Sequence, residues 1–283
     1  MKNKFRTLLL MTPSVFWLLG FFVLPMFVMV LFSFGDGSLR IDRIDFSLDT
    51  YEKFIHSAAF LRLLWRSTLI AFFTALLSVI FAYPIAYVLA FFAGEKRGLF
   101  LTLIVIPSWI SFLLRVLAIK ILLGSGGPFL MFMEYIGFQT ETWPLLLYNR
   151  TAVIATLVYT WIPFCALPIF SALERIEKPV MEAASDLGAS PMKSFVRVTL
   201  PLSLPGVVAA FFFVFIPTLG EWVTPSLMGG TTGIMYGNLI QDQFVRALNW
   251  PMGAVMSFVM MILVIALLII LTRFIKLSEL LEG

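Results

Sequence analysis

Apolar residues along this chain come in long unbroken runs. A bilayer core takes about 20 apolar residues per helix, and runs of that length occupy roughly 7–34, 63–93, 99–123, 150–173, 204–224 and 250–275. Six spanning helices are predicted. Short segments with period-two alternation, the mark of a transmembrane β-barrel, are absent.

Between the fourth and fifth runs the pattern changes. The stretch EAASDLGASPMKSFVRVTLP, Glu182 to Pro201, is polar and rich in small residues. Pro179 suits a first helical position and Gly188 a left-handed helix end, which predicts a short helix of about nine residues. Ser190 and Pro191 form an N-cap and N1 pair for a second short helix. Pro201 and Pro205 are then expected to break the chain before the fifth span resumes. The predicted result is a helix–turn–helix lying across the membrane surface. On its first helix Glu182 and Asp186 are one turn apart and share a face, with Ala183 and Ala184 beside them. A helix resting on lipid headgroups would favour Lys and Arg with bulky apolar anchors. Acids and alanines favour a protein partner.

Composition supports the membrane assignment. Of 283 residues 60% are hydrophobic and 13% charged, where a soluble domain has about a quarter charged. A net charge of +4 would suit a nucleic-acid binder, but in a membrane chain what matters is where the cations sit, and no nucleic-acid partner is expected. One set of connections holds eleven: Lys2, Lys4, Arg6, Lys96, Arg97, Arg175, Lys178, Lys193, Arg197, Arg273 and Lys276. The opposite set holds five: Arg40, Arg43, Lys53, Arg62 and Arg246. Both termini and the 174–203 segment are therefore expected in the cytoplasm. Lys2, Lys4 and Arg6 resemble the start of a secretory signal. The run they precede is too long for one and no small-residue cleavage site follows, so it is read as an uncleaved helix. Arg66, Arg115, Lys120 and Arg150 fall near the predicted outer ends of spans, where long side chains snorkel to headgroups. For Arg115 a second reading is that it faces a central pathway.

Candidate chemistry is sparse. Cys165 lies in an apolar run, as a buried inert thiol does. His56 has no second ligand near it in sequence, so no metal site is expected. No Gly-rich loop ending in Gly-Lys-Ser/Thr occurs, so ATP must be hydrolysed by another chain. Glu221 is the one acid inside a predicted span and hence a candidate for function. Trp109, Trp161 and Trp222 also lie within spans, where their faces can attract ammonium groups by about 0.5–2 kcal/mol each. Interfacial belts and helix packing are the commoner reasons for tryptophan there.

The polar segment resembles the cytoplasmic signature loop of binding-protein-dependent ABC importer permeases. That pattern is E-A-A, three residues, Gly, nine residues, then I-x-L-P. This chain reads Glu182-Ala183-Ala184, Gly188, then Val198-Thr199-Leu200-Pro201, with Val in place of Ile. The stretches 104–123, 159–190, 220–230 and 227–253 look like the spermidine/putrescine branch. The resemblance implies an all-α membrane protein with the type I ABC importer permease fold: one six-helix transmembrane domain over 1–283, forming half of a permease pathway. It implies that the loop bearing Glu182, Ala183, Ala184, Asp186, Gly188 and Pro201 docks on a cytoplasmic ATPase dimer, which binds ATP and Mg. It further implies a second homologous permease subunit, a periplasmic or lipid-anchored substrate-binding protein and surrounding membrane lipids, in a bacterial inner membrane. Glu221, Trp222, Trp109, Trp161 and Arg115 are the candidates for the substrate path, and a polyamine is the expected cargo. Related branches carry opines, amino-acid-like compounds, iron or oxyanions. Two other classes fit the sequence less well. An ion-coupled transporter should show inverted repeats, broken helices and buried titratable pairs, none of which is visible in the sequence. A membrane-embedded enzyme needs clustered His, Asp or Glu within spans, where Glu221 stands alone.

Overall fold

The structure is a computed structural model that describes residues 11–35, 46–138 and 147–281, leaving out the side chains of residues 178 and 271–281. Lys2, Lys4, Arg6, Arg40 and Arg43, and the side chains of Lys178, Arg273 and Lys276, on which part of the predicted orientation rests, lie outside the described residues.

Every element among the described residues is helical. In chain order they are α1 (Met11–Ser33), α2 (Asp49–His56), α3 (Ala58–Phe91), α4 (Arg97–Val105), α5 (Phe112–Leu123) and α6 (Pro128–Tyr135). There follow α7 (Arg150–Glu174), α8 (Lys178–Asp186), α9 (Pro191–Leu219), α10 (Val223–Met228), α11 (Tyr236–Val245) and α12 (Trp250–Leu281). Six stretches are long and apolar enough to cross a bilayer: α1, α3, Phe112–Tyr135, α7, α9 and Trp250–Ile270.

Two of these depart from expectation. The third run is not one helix over 99–123. Pro107 opens a 3-10 turn at Ile106–Trp109, Ile110 and Ser111 are extended, and the helix restarts at Phe112. The break is a feature of the kind the sequence had not revealed, and a proline that lacks its amide donor accounts for where it falls. After α5, Gly127 approaches the carbonyls of Ile121 and Leu122 so closely that a Cβ would sit 2.4 and 2.6 Å from them. The second departure is α9. Pro201 and Pro205 do not break the chain, and the predicted second short helix is simply the start of the fifth span. A π turn at Phe195–Thr199 precedes Pro201. Pro201 then stands in the first turn of the α-helical part, where its missing N–H costs least.

The chain divides into two compact units. One is drawn from the described residues up to Arg62 and from Leu239 onward; the other is Leu63–Asn238. In the first unit α1 packs against α12. The Phe32 and Trp250 rings lie 5.8 Å apart, and the Phe244 and Trp250 rings 5.7 Å apart. Tyr51 Oη donates to Ser33 Oγ at 2.8 Å.

In the second unit α7 and α9 lie along each other. Lipid tails are as apolar as Leu, so helices in a membrane associate through close packing of small residues. Gly206 of α9 shows this: a Cβ there would come within 2.4 Å of Ala172 Cβ and 2.6 Å of the Pro168 carbonyl. The buried face of α3 is likewise small, with Ala71, Ala75, Ala82 and Ala86 fully covered. Cys165 is fully buried, and its Sγ–H donates to the Ala210 carbonyl at 3.6 Å. Tyr83 Oη and Ser203 Oγ share a hydrogen bond of 2.9 Å between α3 and α9.

Candidate functional site

The segment between α7 and α9 is built as its residues dictate. Pro179 stands in the first turn of α8. At the other end Gly188 has φ +78°. Its N–H donates to the Ser185 carbonyl at 2.9 Å, and Ala189 N–H to the Ala184 carbonyl at 3.0 Å, which gathers in the last carbonyls of the helix. Ser190 Oγ then accepts from Lys193 N–H at 3.4 Å and opens α9. Glu182, Ala183 and Asp186 are exposed on α8. Beside them stand two large apolar side chains, Leu187 at 90% exposure and Met192 at 71%. Sequence reasoning passed over both, although a leucine and a methionine in so polar a stretch were the available signal. Arg97 Nη1 pairs with Glu174 Oε1 at 2.8 Å, and its guanidinium lies 5.7 Å from the centre of the Phe170 ring. The start of α4 is thus tied to the end of α7. A cleft of about 620 Å³ opens alongside, between Ser171, Arg175, Glu177 and Val180 on one side and Leu202 and Pro205 on the other.

A second polar site lies at the opposite end of α9. The helix stops at Leu219, so Glu221 lies just past the spanning helix and not inside it. Its Oε1 accepts from Val223 N–H at 2.9 Å and Thr224 N–H at 3.0 Å, capping α10. Asn238 grips the same turn. Its Nδ2 donates to the Trp222 carbonyl at 2.8 Å and to Ser226 Oγ at 2.7 Å, while its Oδ1 accepts from Met235 N–H at 2.9 Å. Gly237 sits where a Cβ would come 2.5 Å from the Gly220 carbonyl oxygen. Ser67 Oγ accepts from Tyr236 N–H at 2.7 Å, and Arg66 Nη2 donates to the Ile234 carbonyl. Arg66 thereby tethers the loop before α11.

The remaining candidates sit on separate elements. Trp109 ends the 3-10 turn at the break in the third run and is 82% exposed. Trp161 is half-buried near the middle of α7, with Phe164 at 5.6 Å and Phe213 of α9 at 6.3 Å between ring centres. Trp222 follows Glu221 and is 45% exposed. Arg115 is only 8% exposed, and its Nη1 donates to the Thr160 carbonyl at 3.2 Å. That carbonyl neighbours Tyr159, whose in-helix donor is missing because residue 163 is proline. Buried and bonded to the Thr160 carbonyl, Arg115 is a stitch between α5 and α7 rather than a snorkelling cation.

The same path of helices recurs in solved transporters. A bacterial alginate ABC transporter, solved in complex with alginate pentasaccharide-bound periplasmic protein, superposes with a TM-score of 0.73 over 95% of this chain and 93% of its own, at 16% identity. The fold is that of an ABC transporter permease. No family model matches the chain, but its relatives narrow the class. The spermidine/putrescine transport system permease protein PotB of Salmonella typhimurium is 34% identical over 278 residues, 96% of this chain and 95% of the relative. PotB of Escherichia coli K12 is 33% identical over 260 residues, 91% and 93% of the two chains. The chain belongs to the family of spermidine/putrescine transport system permease proteins.

Proposed function

We propose that this chain forms half of the translocation path of an ATP-driven importer for polyamines, spermidine or putrescine, in a bacterial inner membrane with both termini in the cytoplasm. The observation that carries the reading is kinship with polyamine permeases over nearly the whole of both chains. In this reading the 174–203 segment docks on a dimeric cytoplasmic ATPase, which holds ATP and Mg. Exposed Glu182 and Asp186 would meet basic groups, and Leu187 would fill an apolar hollow. A second homologous permease completes the path, and a periplasmic or lipid-anchored binding protein delivers the cargo. ATP binding closes the ATPase dimer and pulls on α8, so the path opens outward; hydrolysis resets it.

On the same reading the substrate meets Glu221 and Trp222 first and the exposed ring of Trp109 deeper in the membrane. Ammonium groups favour carboxylates and aromatic faces, the latter by about 0.5–2 kcal/mol each. Arg115, buried and cationic, would shape the path through α7 without touching the cargo. The test is reconstitution of the chain with its partner permease, ATPase and binding protein in proteoliposomes. ATP-dependent uptake of labelled putrescine or spermidine is expected, with excess unlabelled polyamine competing. Uptake of an opine, amino acid, iron or oxyanion that polyamines leave untouched would overturn the substrate assignment while keeping the class.

A further inference from the structure

Ser194 and Thr199 stand five residues apart on α9. In an α-helix, five steps turn through about 500°, which leaves two side chains about 140° apart. Here both hydroxyls reach one atom. Met181 Sδ accepts from Thr199 Oγ1 at 3.5 Å and from Ser194 Oγ at 4.0 Å. The π turn at Phe195–Thr199 brings them together, because its i→i+5 bonding stacks residues five apart; Leu200 N–H donates to the Phe195 carbonyl to close it. Thr199 is fully buried and Ser194 nearly so, while Met181 is half-buried. The turn is held from its other side by α3, where Tyr83 and Tyr87 set their rings edge-on to Phe195 at 5.7 and 5.8 Å.

Met181 belongs to α8, between the lead-in Pro179 and the exposed acids. The π turn belongs to the spanning helix. One flexible side chain therefore joins the docking segment to α9 at the place where that helix departs from α register. Relaxing the turn to α would shift every later residue of α9 by one position, about 1.5 Å along the axis and 100° around it. Those residues include Ser203, bonded to Tyr83, and Phe213, packed on Trp161.

We propose that Met181 is the positioning residue that holds α9 in its π register and turns a displacement of α8 into rotation of the fifth span. The proposal rests on the docking reading given above. Thioether sulfur is a weak acceptor on an unbranched, adaptable chain, which suits a joint that must yield and re-form.

The experiment uses the whole reconstituted complex and compares Met181→Ala with the double substitution Ser194→Ala and Thr199→Val, which leaves Met181 in place. Both complexes should retain the ATPase at wild-type stoichiometry. Both should lose tenfold or more in the stimulation of hydrolysis by loaded binding protein, and uptake should fall with it. The triple variant should be no worse than either, since all remove the same contact. Gly188→Asp, which strains the end of α8, is the docking control and should release the ATPase. Stimulation at the wild-type level in Met181→Ala would overturn the proposal. So would loss of the ATPase from that variant, because Met181 would then belong to the docking surface. A wild-type complex that never retains an ATPase would sink the docking reading itself, and this proposal with it.

Discussion

At Glu221 one oxygen is committed to the backbone of α10 and the charge remains to be explained. Glu221→Gln keeps an acceptor for the two N–H groups and removes the charge. Uptake in the reconstituted system should fall about tenfold, equivalent to about 1.4 kcal/mol, while the melting temperature in detergent stays near wild type. Glu221→Ala should lose the cap as well, worth about 0.5–2 kcal/mol, and lower that temperature too. Wild-type uptake by Glu221→Gln would reduce the residue to a cap. At this scale the residues whose meaning is local were readable in sequence. Gly188 announces a left-handed helix end, and Glu182 and Asp186 announce a face. Asn238 was not readable, because two of the three groups it joins lie 12 and 16 residues away and one of those two is backbone. Nothing in an amide's immediate neighbours says that it will bind a distant turn.

Among the elements, helix starts followed cap chemistry, but continuity did not follow proline count. Pro107 follows the end of its helix, whereas the helix runs on through Pro201, which comes just after a π turn. That difference is set by how neighbours reclaim the freed carbonyls, which a single sequence does not record. The contact between α7 and α9 gives a direct measurement. Gly206→Ala forces a Cβ into Ala172 and the Pro168 carbonyl, and overpacking of this kind costs roughly 1–3 kcal/mol. A fall of several degrees in detergent melting temperature is expected. Gly98→Ala meets nothing within 4 Å and lies inside α4, so it should leave that temperature unchanged or raise it slightly. Equal behaviour of the two variants would mean that α7 and α9 have room to part.

For the molecule as a whole, six spans were legible because a bilayer imposes a minimum apolar length on any helix that crosses it. Where the apolar length was interrupted, at Ile110 and Ser111, the pattern alone ran straight through. Orientation rests on eleven cations against five. A reporter that works only outside the cytoplasm, fused after Phe138, should be active, and one fused after Ser190 should be silent. The reverse result would place α8 on the wrong face for any ATPase.

Cys165 carries a practical consequence. It is the single thiol of the chain, it is fully covered, and it faces the Ala210 carbonyl. A maleimide or methanethiosulfonate reagent therefore finds no target on the folded protein. A cysteine introduced at any chosen surface position would be the one group to react, so the natural sequence already serves as a silent background for fluorescent or spin labels.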